Sequence, residues 1–201
     1  MKIILIRHGQ STANKKRIQQ GHKDYPLSEL GFEQAEELAL QMKENGFTCQ
    51  AIYSSDLTRA KQTTEVITKI LELPVTKYDE RLREMHLGNR QGRKVTDLTK
   101  EEEEYSEKVW KEHDLKFIDG ESVNDMKSRV KEAFDEIVNT HKETDTILII
   151  AHGGVLYHVL HHINDIFPVT DEWFSNCSFN ELYRENETEH WKLIMFNSER
   201  L

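Results

Sequence analysis

The stretch IILIRHGQS, residues 3–11, decides how the rest of the chain is read. Four apolar residues in a row, Ile3 to Ile6, make the short continuous run expected of a strand covered on both faces. Turn residues normally close such a strand. Here it closes in Arg7 and His8, two side chains that can carry positive charge, and then in Gly9, which has no side chain. A second stretch near the far end, TILIIAHGG at residues 146–154, repeats the pattern: an apolar run, then His-Gly. If the two strands are parallel neighbours, His8 and His152 emerge at the same end of one sheet.

Working outward, the chain alternates strand and helix patterns. Ser28 is placed to cap a helix with Ala35, Leu38, Ala39 and Met42 on one face, and Gly46 to stop it. Ala51 to Tyr53 reads as a second strand. Asp56 is expected to cap the next helix, with Ala60, Ile67 and Leu71 inward, ending before Pro74. Val75 to Tyr78 reads as a third strand, and Ser122 opens a helix carrying Val123, Met126, Val130, Ala133, Phe134, Ile137 and Val138 inward. A helix from about Gly154 to Ile163 follows the strand that ends at Ala151. Two antiparallel strands, Ser178 to Tyr183 and Trp191 to Phe196, close the chain. The polar stretch after Gly9 reads as a loop. The charged run KEEEEYSEKVWKEHD, residues 100–114, reads as a surface helix or cap segment.

This alternation predicts a three-layer α/β/α fold with a mostly parallel central sheet, an antiparallel edge and a small cap insertion. The expected organisation is one domain over residues 1–201, with the cap or specificity insertion at about 85–120. In such sheets, ligands bind beyond the carboxyl ends of the strands.

Composition excludes several partners. With 36 acidic and 27 basic residues, the formal charge is −9. That speaks against general affinity for nucleic acid or for an anionic membrane. No apolar run reaches the ~18 residues of a membrane span, and Ile3 to Ile6 is too short for a signal-peptide core. The cytoplasm is therefore the expected compartment. Cys49 and Cys177 form neither a disulfide framework nor a metal spacing and read as reduced, buried thiols. Asn186-Glu187-Thr188 matches a glycosylation acceptor by coincidence. Nothing in the pattern decides the oligomeric state.

Other strand-end residues join the two histidines. SSDLTRAKQT, residues 54–63, puts Arg59 in a first helical turn, where free amides and the positive dipole end favour an anion. A guanidinium there adds paired donors suited to phosphate. Asn14 supplies a neutral donor. Glu84 follows the third strand, flanked by Arg81 and Arg83. The cations can hold a phosphoryl group, one histidine can act as nucleophile and Glu84 as proton donor.

With LIRHGQSTAN, SSDLTRAKQT, LREMHLG and AHGG in that order over residues 3 to about 156, the chain resembles the histidine phosphatase superfamily, in its phosphoglycerate-mutase-like branch. The resemblance is nearest to the broad-specificity phosphatases. It implies a metal-independent phosphomonoesterase with no cofactor, acting on small phosphorylated metabolites through a phosphohistidine. His8 would attack phosphorus. Arg7, Arg59 and His152 would hold the phosphoryl oxygens, and Glu84 would protonate the leaving oxygen and then activate water. Asn14, Gln20, Gly21, Arg83 and Gly153 would contact substrate.

Phosphoglycerate mutases resembling this branch carry a longer insert after the glutamate, and Asn and Arg where this chain has Gly154 and Tyr157. Phosphatase is therefore favoured, with mutase as the alternative. The chain also departs from the phosphatase pattern. His22 and Arg90 stand where tryptophans are common, so a more basic pocket mouth and a substrate with a second anionic group are expected. His158, His161 and His162 could approach a metal, but a partly exposed helix face is the favoured account. A non-catalytic phosphoester-binding module could dispense with His8 or Glu84, and both are present. A nucleotide-binding domain would need a phosphate loop, and neither usual loop is found. A metal-dependent hydrolase would need more carboxylates at the strand ends.

Overall fold

The computed structural model describes residues 1–164 and 173–200. Strand β1 (Lys2–Arg7) lies next to β4 (Thr146–Ala151) in parallel, with Arg7 opposite Ala151. The His-Gly pairs that follow the two strands therefore leave the sheet side by side. Strands β2 (Ala51–Ser54) and β3 (Lys77–Tyr78) extend the parallel half. On the other side of β1, strands β5 (Phe179–Tyr183), β6 (Lys192–Phe196) and β7 (Glu199–Arg200) run antiparallel in succession. The order is β3-β2-β4-β1-β5-β6-β7. The short β7 carries no apolar pattern of its own. It forms because Asn197 and Ser198 both take positive φ, the geometry of a tight two-residue hairpin turn.

The continuous run Ile3–Ile6 is explained by a period of two. Ile3 and Leu5 face one core, with Ile147 and Ile149; Ile4 and Ile6 face the other, with Leu148 and Ile150. The second core is roofed by α2 (Glu29–Glu44) and α3 (Thr58–Leu71), which bury Ala35, Ala39 and Ile67. The first is roofed by α5 (Val123–Thr140) and α6 (Gly153–Asn164), which bury Met126, Phe134 and Val155. Three layers result, as expected.

Caps follow the sequence in two helices of three. Ser28 accepts from the Gly31 amide at 3.1 Å, and Ser122 forms a reciprocal cap with Asp125. Asp56 does not cap α3. Its carboxylate is drawn to the Arg83 guanidinium, and the Thr58 amide is capped from elsewhere in the chain, by Asp24 at 2.8 Å. The stretch after Gly9 is not all loop. Residues Thr12–Lys15 form one turn, α1, capped by Ser11 and Asn14.

The charged run forms helix α4 (Lys100–Lys111). Its acidic residues Glu101 to Glu103 lie in the first turn and Lys108 and Lys111 in the last, complementing the helix dipole. Glu102 also pairs with Arg93 at 2.6 Å. Only Val109 and Ser106 are buried, while Phe117 beyond the helix joins the first core. No helix among the described residues is long and apolar enough to cross a membrane. Cys49 is half-buried and Cys177 buried, and both are free thiols.

Candidate active site

A cavity of about 660 Å³ opens at the carboxyl ends of β1 and β4. Its inner wall carries Arg7, His8, Asn14, Gln20, Gly21, Arg59 and Glu84. His8 and His152 meet edge to face with ring centroids 5.0 Å apart. His152 is fully buried against His8 at the inner end of the cavity.

The protonation of His8 follows from its contacts. Its Nδ1 lies 2.7 Å from the Gly9 carbonyl, which can only accept, so Nδ1 carries the proton. The Nε2 lone pair is left facing Arg59, whose Nε donates to it at a long 3.3 Å. Burial first, then the charges of Arg59 and Arg7, push the His8 pKa well below that of an ordinary imidazole. His152 is lowered by burial, then by Arg59 and His8. The Leu57 amide donates to Ser55 Oγ at 3.3 Å, so the Ser55 hydroxyl hydrogen is free to go to His152 Nε2, 2.8 Å away. With the Ser55 hydroxyl as donor, the His152 proton sits on Nδ1.

That proton has no acceptor, nor do Arg59 Nη1 and Arg7 Nε; all three atoms are buried and without a partner among the described residues. A buried donor left unsatisfied costs about 1–3 kcal/mol. Three of them around one imidazole describe a place for an anion with several acceptor oxygens. The remaining donors aim the guanidinia: Arg59 Nη2 holds the Gly21 carbonyl at 2.9 Å, and Arg7 Nη1 holds that of Phe174 at 2.5 Å. Burial lowers the Arg59 pKa to about 10, which leaves it cationic at neutral pH.

Glu84 faces this group from the other wall. Its Oε1 accepts from the Met85 amide at 2.9 Å, and its Oε2 from the Gly154 amide at 3.3 Å. Asn14 presents its amide end, because its Oδ1 is taken by the Ser11 amide at 3.0 Å. Ser11 Oγ donates to Gln20 Oε1 at 2.7 Å.

A family model for the histidine phosphatase superfamily (branch 1) matches residues 3–198. The chain belongs to that superfamily. It is 29% identical to a broad-specificity phosphatase of Saccharomyces cerevisiae, over 98% of this chain and 76% of the yeast protein. It is 32% identical to a probable phosphoglycerate mutase of Escherichia coli, over 78% of this chain and 71% of the bacterial one. Among solved structures, YhfR of Bacillus stearothermophilus superposes with a TM-score of 0.84 at 28% identity, covering 98% of this chain and 96% of that one.

Not every residue expected in the site of this histidine phosphatase reaches it. Arg83 does not line the cavity, because both faces of its guanidinium fork are engaged by the Asp56 carboxylate. Gly153 gives way to Gly154 in the wall. A Cβ on Gly153 would meet the Trp173 indole at 2.5 Å, and one on Gly154 would meet Glu84 Oε1 at 2.3 Å. Gly9 serves the fold and not the ligand. Its amide donates to Thr63 Oγ1, and its Cα lies so close to α2 that a Cβ would be 2.4 Å from the Gly31 carbonyl.

His22 and Arg90 do not form the mouth either. Arg90 lays its guanidinium over Phe117, 5.5 Å from the ring centre, and His22 packs edge-on against His86 at 4.6 Å. The three histidines of α6 divide. His158 is buried and His161 half-buried, both against the cavity, while exposed His162 pairs with Asp135 at 2.7 Å.

Sequence reasoning missed the outer wall and one supporting residue. The wall comes from Trp110, His113, Met126, Lys127, Tyr157 and Trp173 among others. Trp110 and His113 lie in the segment expected as a specificity cap and Met126 on the inward stripe of α5, but nothing in the sequence marked Lys127, Tyr157 or Trp173 as wall residues. The supporting residue is Arg129, whose Nη1 and Nη2 hold the carbonyls of Arg81, Arg83 and Glu84 while Glu121 balances its charge.

Proposed function

We propose that this histidine-type phosphatase is a phosphomonoesterase for small phosphorylated metabolites, working through a phosphohistidine. The observation that carries the reading is the trio of unpartnered buried donors on Arg7, Arg59 and His152 around the unprotonated Nε2 of His8.

The three non-bridging phosphoryl oxygens supply the missing acceptors and bring phosphorus in front of Nε2. His8 attacks, the P–N bond forms and the P–O bond to the alcohol breaks. Glu84 gives its proton to the departing oxygen. A water then enters, loses a proton to Glu84 and displaces His8, releasing inorganic phosphate and restoring both residues. Charge that grows on the equatorial oxygens is met by the two guanidinia and the His152 N–H, already oriented by Gly21, Phe174 and Ser55. Asn14, Gln20 and Gly21 complete the phosphate contacts. Positive charge comes from arginine, so the reaction proceeds without added metal. The segment at about 85–120 acts as the specificity cap, contributing Met85, Leu87, Trp110 and His113 to the wall.

The test is phosphate release from 4-nitrophenyl phosphate in excess EDTA by wild type and His8→Ala. Release by the wild type alone supports the reading. Equal release by both removes His8 from the mechanism. Release by neither, together with interconversion of phosphoglycerates, makes the protein a mutase.

A further inference from the structure

We propose that the outer half of the cavity is a recognition subsite for a second anionic group on the leaving alcohol, held by Lys127 with His113 and His158, in the part of the wall that also carries the exposed indoles of Trp110 and Trp173. This deepens the phosphomonoesterase reading and rests on it for the identity of the ligand.

Lys127 is the first observation. It is half-buried in the cavity wall, and among the described residues no carboxylate pairs with it. Its only hydrogen bond there is to a neutral acceptor, His113 Nδ1, at 3.3 Å. The acidic side chains of that corner are engaged elsewhere. Asp125 pairs with Lys116 at 2.9 Å, Glu121 with Arg129 at 2.5 Å, and Asp114 accepts from Asn124 at 2.7 Å. In a chain of formal charge −9, an inward-facing ammonium without a counter-ion is a demand for an external anion.

His158 is the second. Its side chain is buried in the same wall, and its Nδ1 has no partner among the described residues. Burial, then Lys127, lowers its pKa to about 4. It is therefore a neutral hydrogen-bonding group near an ammonium, a pair suited to a carboxylate or phosphate oxygen.

The third is the apolar lining. Trp110 and Trp173 are 49% and 53% exposed, a large apolar surface to leave in water beside a cavity. A planar or apolar body between the two ends covers them. Helix geometry sets the spacing. Gly154 touches Glu84, His158 lies one turn on and His161 nearly one more, so the second anion sits roughly 6–10 Å from the ester oxygen.

The experiment compares three esters: phenyl phosphate, 4-(carboxymethyl)phenyl phosphate and its neutral carboxamide. The acid is expected to exceed the amide in kcat/KM by about tenfold at low ionic strength, with the margin shrinking in high salt. Lys127→Gln abolishes the preference and Lys127→Arg keeps it. The same acid–amide contrast is measured as binding to His8→Ala by calorimetry, without turnover. Hydrolysis of all three with equal kcat/KM, or a preference unchanged in Lys127→Gln, overturns the subsite and leaves the phosphatase standing. No hydrolysis of any ester, with Lys127-dependent tighter binding of the acid, overturns the phosphatase and leaves the subsite. Neither hydrolysis nor selective binding removes both.

Discussion

Arg129 donates through Nη2 to the main-chain carbonyl of Glu84 at 2.9 Å. Through Nη1 it also holds the Arg81 and Arg83 carbonyls, at 2.8 and 2.6 Å. One guanidinium on α5 thus pins the turn from which the acid projects, and Glu121 neutralises it at 2.5 Å. Arg129→Gln is expected to lower kcat roughly tenfold on alkyl phosphates, whose departure needs a proton, and far less on nitrophenyl phosphate. Steady-state kinetics on both esters checks this. An equal loss on both would assign Arg129 a purely structural part.

Glu84→Gln keeps the shape but removes the transferable proton. The expected loss on alkyl phosphates is about 10²–10⁴-fold. On nitrophenyl phosphate, whose leaving group departs as an anion, formation of the phosphohistidine should persist. Rapid quench with labelled substrate would then trap phosphoenzyme, because the water step also lacks its base.

Two glycine-to-alanine changes separate fold from site. In Gly9→Ala the new methyl meets a backbone carbonyl, that of Gly31, which cannot move without shifting α2. The expected outcome is a loss of about 1–3 kcal/mol or more in denaturant unfolding. In Gly154→Ala it meets the Glu84 carboxylate and the Met126 methyl at 3.1 Å, both side-chain ends. Stability should fall less, and kcat more, since the acid is pushed from its place.

Because burial and two arginines lower its pKa, His8 stays a neutral nucleophile below the ordinary imidazole value of 6.5. On 4-nitrophenyl phosphate, whose departure does not draw on the Glu84 proton, kcat/KM corrected for substrate ionisation should hold level from about pH 8 to pH 6, with its acid limb lower still. A limb centred near 6.5 would place His8 in a more open setting than the structure gives it.

Stability should respond to acid in the same sense. His158 has a pKa of about 4 in the folded protein, against 6.5 for an ordinary imidazole. Below 6.5 the unfolded chain takes up a proton that the folded chain refuses, so stability present above that pH drains away as pH falls towards 4. Each such histidine contributes up to about 1.4 kcal/mol per pH unit in that window. Urea unfolding of wild type and His158→Asn at several pH values should show a shallower decline in the variant.

Much of this was legible in one dimension because the relevant physics is local. A run of four apolar residues has few homes outside a covered strand, and the Arg-His-Gly and His-Gly ends mark the end of the sheet at which the cavity opens. Parallel pairing of β1 with β4 then brings His8 to His152 with no further information. The order of four segments along the chain carried the family resemblance, and with it Arg7, Arg59, Asn14 and Glu84.

Other features depended on neighbours far away in sequence. Asp56 looked like a helix cap until Arg83, 27 residues on, took its carboxylate out of reach of α3 and itself out of the cavity. His22 and Arg90 looked like mouth residues until His86 and Phe117 gave them rings to pack on. Lys127 and His158 sit on helix faces patterned like core, and only the junction of α5, α6 and the segment around α4 turns those faces into a cavity wall. A side chain's type is written in the sequence, but whether its charge is matched depends on which groups the fold brings within a few ångströms. For Lys127 and His158, that answer comes from three-dimensional contacts alone.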